Sequence, residues 1–225
     1  MSKAAVSSGS ATTPGSGAMH GSGAIPGAIA AIVLAAGSST RFGANKLLHP
    51  LTLHGVTLPL AAHSLLPWLE IFSHITVVVR PQPAVFCKAM ETALGADKAA
   101  AIRWVECATA TQGMAASLAC GVGANLNAAG WLIGLADMPA ISSAVIGDVR
   151  KALLQGGKLA VPYYEGQRGH PVGFAAHYRD ELLTLTGDQG ARNLLQRDSA
   201  NVARIDGCNK GIVVDIDQPG DLLAL

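Results

Sequence analysis

Three stretches of this chain put charged or hydrogen-bonding groups where an enzyme would use them. The first is Leu34-Ala35-Ala36-Gly37-Ser38-Ser39-Thr40-Arg41-Phe42-Gly43, followed by Ala44-Asn45-Lys46. Its small residues let backbone N–H groups approach a ligand closely, and donors converging in a turn bind phosphate oxygens. Arg41 and Lys46 add fixed positive charge, and a guanidinium grips a phosphate through two parallel hydrogen bonds. The loop fits neither GxGxxG nor GxxxxGK[ST], and a tight turn uses glycine without any ligand. The Arg and Lys five residues apart favour phosphate binding over a plain turn.

The second stretch is Gly134-Leu135-Ala136-Asp137-Met138-Pro139. Asp137 either caps a helix starting near Ser142 or Ser143 or ligates Mg²⁺, which takes one or two carboxylates and fills its other positions with water and phosphate. The third is Val213-Val214-Asp215-Ile216-Asp217-Gln218-Pro219. If a strand continues through it, alternation sends the two carboxylates to opposite sides. Asp217 is then the better cap for a helix at Pro219, leaving Asp215 to face the same edge as Asp137.

Weaker constellations lie between. Thr111-Gln112-Gly113-Met114-Ala115-Ala116-Ser117 opens a helix, whose amides can meet an anion. Gly169-His170-Pro171-Val172 follows a turn holding Arg168, and a histidine between Gly and Pro is poorly placed for a core. Gly187-Asp188-Gln189-Gly190-Ala191-Arg192 is readable as a cap with an i,i+4 ion pair.

The elements that must position these groups alternate. Continuous apolar or β-branched runs at 28–34, 75–79, 101–105 and 131–135 read as buried parallel strands. Helical stretches at 59–70, 83–94, 114–122 and 141–154 separate them. Short strands follow at 159–161, 172–174 and 202–205, a helix at 191–196, and an apolar run at 212–214 before a terminal helical turn. Short connections between alternating strands and helices predict one three-layer α/β/α, Rossmann-like domain with a mostly parallel mixed sheet. Ligands of such sheets sit outside the carboxyl ends of the strands, where the candidate residues fall. Residues 1–27, rich in Ser, Gly, Ala and Thr, read as a disordered leader, and 28–225 as the folded domain.

Sixteen Lys plus Arg against 15 Asp plus Glu leave a net charge of +1. This argues against the broad basic face that nucleic acid needs and leaves room for one basic pocket and a small anionic substrate. Half of the 225 residues are apolar, enough for a core. No apolar run approaches a membrane span. Cys87, Cys107, Cys120 and Cys208 show no metal-binding spacing and read as reduced thiols of a cytoplasmic protein.

Taken in order, these motifs resemble the molybdenum cofactor cytidylyltransferase family, within the Rossmann-like nucleotidyltransferases. The resemblance rests on Leu34-Ala35-Ala36-Gly37 with Arg41, Gly43 and Lys46, and on Gln112-Gly113-Met114 with Ser117-Leu118. It continues through the stretches that begin at Gly134, Gly169 and Gly187 and the one at 215–219, covering about residues 29–225. It implies transfer of CMP from CTP to the terminal phosphate of the molybdenum cofactor, with release of pyrophosphate. Leu34, Ala35, Ala36, Gly37, Ser38, Arg41, Gly43 and Lys46 would hold the nucleotide, with Arg41, Lys46 and Asp137 catalytic. Asp137 and Asp215 would hold Mg²⁺. Gln112, Gly113, Ser117, Gly169, His170, Pro171, Asp188 and Arg192 would line the acceptor side, and a client molybdoenzyme is a further partner the resemblance implies. GTP-using relatives carry a second glycine where Ala36 stands. Gln218 replaces a frequent Thr, and the leader is no part of the pattern. The competing readings are GTP on the same acceptor, CTP on another phosphorylated acceptor, and a non-catalytic cofactor chaperone, which would be expected to lack Lys46 or Asp137. A Rossmann dehydrogenase would need GxGxxG after the first strand and an acid after the second, where Arg80 stands.

Overall fold

The computed structural model describes residues 27–37, 42, 45–187, 190–218 and 220–221. The expected leader, apart from Gly27, and Ser38, Arg41, Gly43 and Asp188 lie outside the described residues.

Strand β1, Ile29–Leu34, leads through a 3-10 turn, Lys46–Leu48, to a hairpin of β2, Pro50–Leu53, and β3, Val56–Pro59. Helix α1, Leu60–Ile71, strand β4, Ile75–Val79, helices α2, Ala84–Leu94, and α3, Ala96–Ala100, and strand β5, Ile102–Glu106, follow. Next come α4, Met114–Gly123, β6, Gly130–Leu135, and α5, Ser143–Leu154. The last third holds β7, Leu159–Tyr164, β8, Gln167–Arg168, β9, Val172–Ala175, α6, Arg179–Leu183, α7, Arg192–Arg197, and β10, Val202–Ile205.

The main sheet runs β10-β7-β9-β6-β1-β4-β5, with β8 attached to β7. Strand β9 is antiparallel to both neighbours, β8 is antiparallel to β7, and the other pairings are parallel. All six residues of β1 are buried, as a central strand covered on both faces requires. Its alternation feeds two cores. Ala31 and Val33 pack in the layer of α1, α2 and α5, whereas Ile32 and Leu34 pack in the layer of α4, α6 and α7. The chain thus has the expected three-layer Rossmann-like architecture. Among the described residues no helix is long and apolar enough to cross a membrane, and all four cysteines are free.

Two local expectations change. The hairpin β2–β3 was not apparent in the sequence. It turns on His54 and Gly55, both at positive φ (50° and 79°), the geometry that Asn-Gly signals and His-Gly hides. The run at 212–214 is no strand. Its place is taken by a 3-10 turn, Lys210–Val213, whose start Asn209 caps by accepting the Gly211 N–H at 3.0 Å.

Gly134 in β6 is a contact requirement. A Cβ there would overlap the six-membered ring of Trp68 on α1, with Cη2 at 3.0 Å, and that indole is fully buried. Overpacking of this kind costs about 1–3 kcal/mol. Gly134→Ala should therefore lower Tm by roughly 2–12 °C in a thermal melt, and an unchanged Tm would show that Trp68 moves freely.

Candidate active site

The carboxyl ends of β1, β4 and β6, with the turn after β5, surround a cavity of about 540 Å³, within the range of small-ligand sites. Its lining includes Leu34, Ala35, Ala36, Gly37, Lys46, Arg80, Thr111, Gly113, Met114, Ser117, Asp137, Asp215 and Asp217.

Lys46 is the hub. The 3-10 turn Lys46–Leu48 is anchored by buried Leu47, and Leu60 N–H donates to the His49 carbonyl just beyond it at 2.9 Å. The Lys46 Nζ lies 2.8 Å from Asp137 Oδ2 and 2.9 Å from Asp217 Oδ1. Its side chain is 8% exposed, against 20% for Asp137 and 38% for Asp217. Burial by itself lowers the pKa of the ammonium, but hydrogen bonds and attraction to Asp137 and then Asp217 outweigh it, so Lys46 lies above the ordinary lysine value. It stays charged. Asp137 Oδ1 is buried and has no hydrogen-bond partner among the described residues, although a buried carboxylate oxygen normally has one.

Asp137 is not a helix cap, since Ser142 accepts the Val145 N–H and starts α5. The expected division between Asp215 and Asp217 is also corrected. With no strand at 212–217, alternation does not apply, and both carboxyl groups line the cavity. The N–H groups of Asp217 and Gln218 instead donate to Asp221 Oδ2, each at 2.8 Å. Asp215 keeps an open outer face, yet partial burial first, and then the carboxylates of Asp137 and Asp217, hold its pKa above the ordinary carboxylate range.

The segment carrying Asp215 and Asp217 is clamped to the strand ends from behind. Ile216 N–H donates to the Asp137 carbonyl at 3.0 Å, and His170 N–H donates to the Ile212 carbonyl at 2.9 Å. Gly211 lies against the Ala140 backbone, where a Cβ would meet the carbonyl carbon at 2.7 Å. The Gly169-His170-Pro171 turn thus brackets that segment and is not among the residues that line the cavity. His170 is half-buried, in keeping with the expectation that it is no core residue. Its Nδ1 is buried without a partner. Burial holds the imidazole below its ordinary pKa, against the opposing pull of the Ile133 backbone and Asp137.

The other expected site residues divide. Gly113 and Ser117 line the same cavity as Leu34, Ala35, Ala36 and Gly37. Gln112 and Arg192 are exposed and outside that lining. Sequence reasoning missed Arg80, whose Nε donates to the Ala36 carbonyl at 2.9 Å. The signal was available, because Arg80 directly follows an apolar strand as Asp137 nearly does. Asp217 had no such signal, since an Asp two residues before Pro looks like a cap.

The cavity thus joins a small-residue turn, a buried ammonium and three carboxylates, the equipment for holding a polyphosphate with a cation. Residues 31–202 match the model of the MobA-like NTP transferase domain. The chain belongs to that family of nucleotidyltransferases. Rv0371c of Mycobacterium tuberculosis H37Rv is 26% identical, with 90% of this chain and 100% of that one covered at a TM-score of 0.70. Its complex with manganese aligns at 25% identity over 88% and 97% of the two chains, with a TM-score of 0.65. A nucleotidyl transferase from Methanothermobacter thermautotroptrophicus shares the fold, at 22% identity over 88% and 95% of the chains and a TM-score of 0.69. No curated protein matches the sequence.

The raised pKa of Asp215 makes a signed prediction. Its neutral form is favoured by folding, so its contribution is present below the unfolded carboxylate pKa and is lost as pH rises through the folded one. Asp215→Asn should melt slightly higher than wild type at pH 7, and this advantage should vanish below the ordinary carboxylate range. Thermal melts across pH check this; a variant less stable at pH 7 would show that Asp215 is held by attraction.

Proposed function

We propose that this chain transfers CMP from CTP to the terminal phosphate of the molybdenum cofactor, releasing pyrophosphate. The observation that carries the reading is the buried Lys46 ammonium between Asp137 and Asp217 beside the Leu34–Gly37 turn.

In the reaction an acceptor phosphate oxygen attacks the α-phosphorus in line. A new P–O bond forms while the bond to the β-phosphate oxygen breaks, and pyrophosphate carries away the electron pair. The nucleophile is already ionised, so orientation and charge neutralisation are the tasks, and no strong base is needed. Backbone N–H groups of the turn and Lys46, with Arg41 from the same loop, hold the nucleotide phosphates and stabilise the leaving pyrophosphate. Gly113 and Ser117 belong with the nucleotide on this reading. The acceptor approaches from the side of the three carboxylates.

Those carboxylates fit a divalent cation. Asp137 Oδ1 is an orphaned buried acceptor, and Asp215 lies close enough to feel its charge. The donors are hard oxygens, the type Mg²⁺ takes. Among the described residues no group of three or more His, Cys, Asp or Glu side chains is placed to hold a metal ion by itself; Mg²⁺ needs only one or two carboxylates and takes its other ligands from water and phosphate. Asp137 and Asp215, with Asp217 as neighbour, would hold Mg²⁺, which when bound supplies Lewis-acid neutralisation of phosphate charge. The manganese complex of the 25%-identical mycobacterial protein supports a divalent ion.

The choice of CTP rests on Ala36, which lines the cavity: if the backbone of the turn lies against the base, its Cβ would crowd a purine. The GTP-using alternative is tested by the same assay. Pyrophosphate release should be greatest with CTP among the four nucleotides and should depend on added molybdenum cofactor. It should stop with chelator and return with Mg²⁺ or Mn²⁺. Asp137→Asn should lower kcat/KM on the order of a thousandfold, about 4 kcal/mol of transition-state stabilisation, with Lys46 still paired to Asp217. Near-normal turnover of that variant would remove Asp137 from the chemistry. A preference for GTP would overturn the cytidylyl assignment.

A further inference from the structure

The sheet order sets the sequence of groups along the cavity. Strand β1 lies between β6 and β4, so Asp137 after β6 and Arg80 after β4 flank the Leu34–Gly37 turn from opposite sides. Neighbouring strands are about 4.8 Å apart, which separates the two strand ends by roughly 10 Å. The ammonium and carboxylates occupy the β6 end. Toward β4 and β5 the described lining is Arg80, Ala110, Thr111 and Gly113, with no carboxylate. A nucleotide whose phosphates meet Lys46 turns its base toward Arg80.

Arg80 is held for such a task. Its Nε–H is committed to the Ala36 carbonyl, which uses one edge of the guanidinium and orients its plane. Among the described residues its terminal nitrogens have no acceptor and no carboxylate pairs with it. The end-on edge, two parallel N–H donors, is left to a ligand.

Resting on the nucleotidyl-transfer reading above, we propose that Arg80 is the specificity residue of this site, its terminal fork donating to two adjacent acceptors of a cytosine base. Two parallel donors require two neighbouring acceptors. Cytosine presents O2 and N3 side by side. Uracil carries N3–H between its carbonyls, so a fork at the same edge meets a donor. Adenine sets its amino group beside N7. Guanine satisfies a fork through O6 and N7, but with the base laid against the turn its second ring would crowd the Ala36 Cβ. Arg80 and Ala36 thereby divide the selection: the fork rejects uracil and adenine, and the methyl group disfavours guanine. A bidentate pair of this kind discriminates by about 5- to 150-fold.

The test is calorimetric titration of the full-length wild type, Arg80→Lys and Arg80→Met with each of the four nucleoside triphosphates and Mg²⁺, without acceptor. The wild type should bind CTP about 5- to 150-fold more tightly than UTP. Both variants should bring that ratio close to one by weakening CTP, and Arg80→Lys, which keeps the charge without the fork, should leave UTP affinity within about threefold of wild type. Because Arg80 is exposed, Tm should stay within about 2 °C of wild type. An equal loss for all four nucleotides would mean that the guanidinium grips phosphate and would overturn the proposal, as would an unchanged CTP:UTP ratio. Tighter binding of GTP than CTP by the wild type would overturn the choice of cytosine. A wild type that binds no triphosphate would instead overturn the transfer reading itself, and this inference with it.

Discussion

Removing an ammonium from water costs several kcal/mol unless carboxylates surround it with good geometry. Lys46 meets that condition only because Asp137 and Asp217 reach it at 2.8 and 2.9 Å from distant parts of the chain. Much of the active-site half of the molecule serves this contact. The 3-10 turn and hairpin after β1 present the lysine, β6 delivers Asp137, and the last described segment folds back to deliver Asp217. Because three carboxylates face one ammonium among the described lining residues, the cluster remains short of positive charge. Asp137 Oδ1 is left without a partner among the described residues, and the neighbouring carboxylates add to the burial that raises the pKa of Asp215. Electrostatic strain of this kind is common at functional sites.

The support behind the cluster is made of backbone contacts. The hydrogen bonds from Ile216 to Asp137 and from His170 to Ile212, with Gly211 pressed on Ala140, fix a segment without regular secondary structure against the strand ends. Backbone clamps of this kind lose little to side-chain rotamer freedom and hold carboxylates within the tolerance that catalysis requires. His170 fits this role: its half-buried ring stands behind Asp137, and burial of its Nδ1 disfavours a charge there.

Much of the architecture was legible because its causes are local. The runs at 28–34, 75–79 and 131–135 are too short and too apolar for surface helices, and the strands appear within a residue of those bounds. The failures have equally local causes. His54-Gly55 hides a turn that Asn-Gly would announce. Ile212-Val213-Val214 has strand composition, but Lys210–Val213 form a 3-10 turn capped by Asn209 and packed through Gly211 on the Ala140 backbone. The Gly169-His170-Pro171 turn, singled out as a motif, packs behind the returning segment and is not among the cavity-lining residues, because a motif does not fix which side of the backbone faces the cavity.

By itself the sequence determined the alternation of elements, the three-layer fold that follows from it, and the placement of Lys46, Asp137 and the small-residue turn at strand carboxyl ends. These follow from hydrophobic period and turn chemistry, which act over a few residues. Only the tertiary structure decided that Asp217, 171 residues beyond Lys46, shares its ammonium, that Arg80 reaches the carbonyl of Ala36, and that His170 stands behind the site. Those outcomes depend on the order of strands in the sheet and on where a returning segment can pack. Such long-range contacts are set by the burial and hydrogen bonding of the whole chain, and no window of sequence contains both partners.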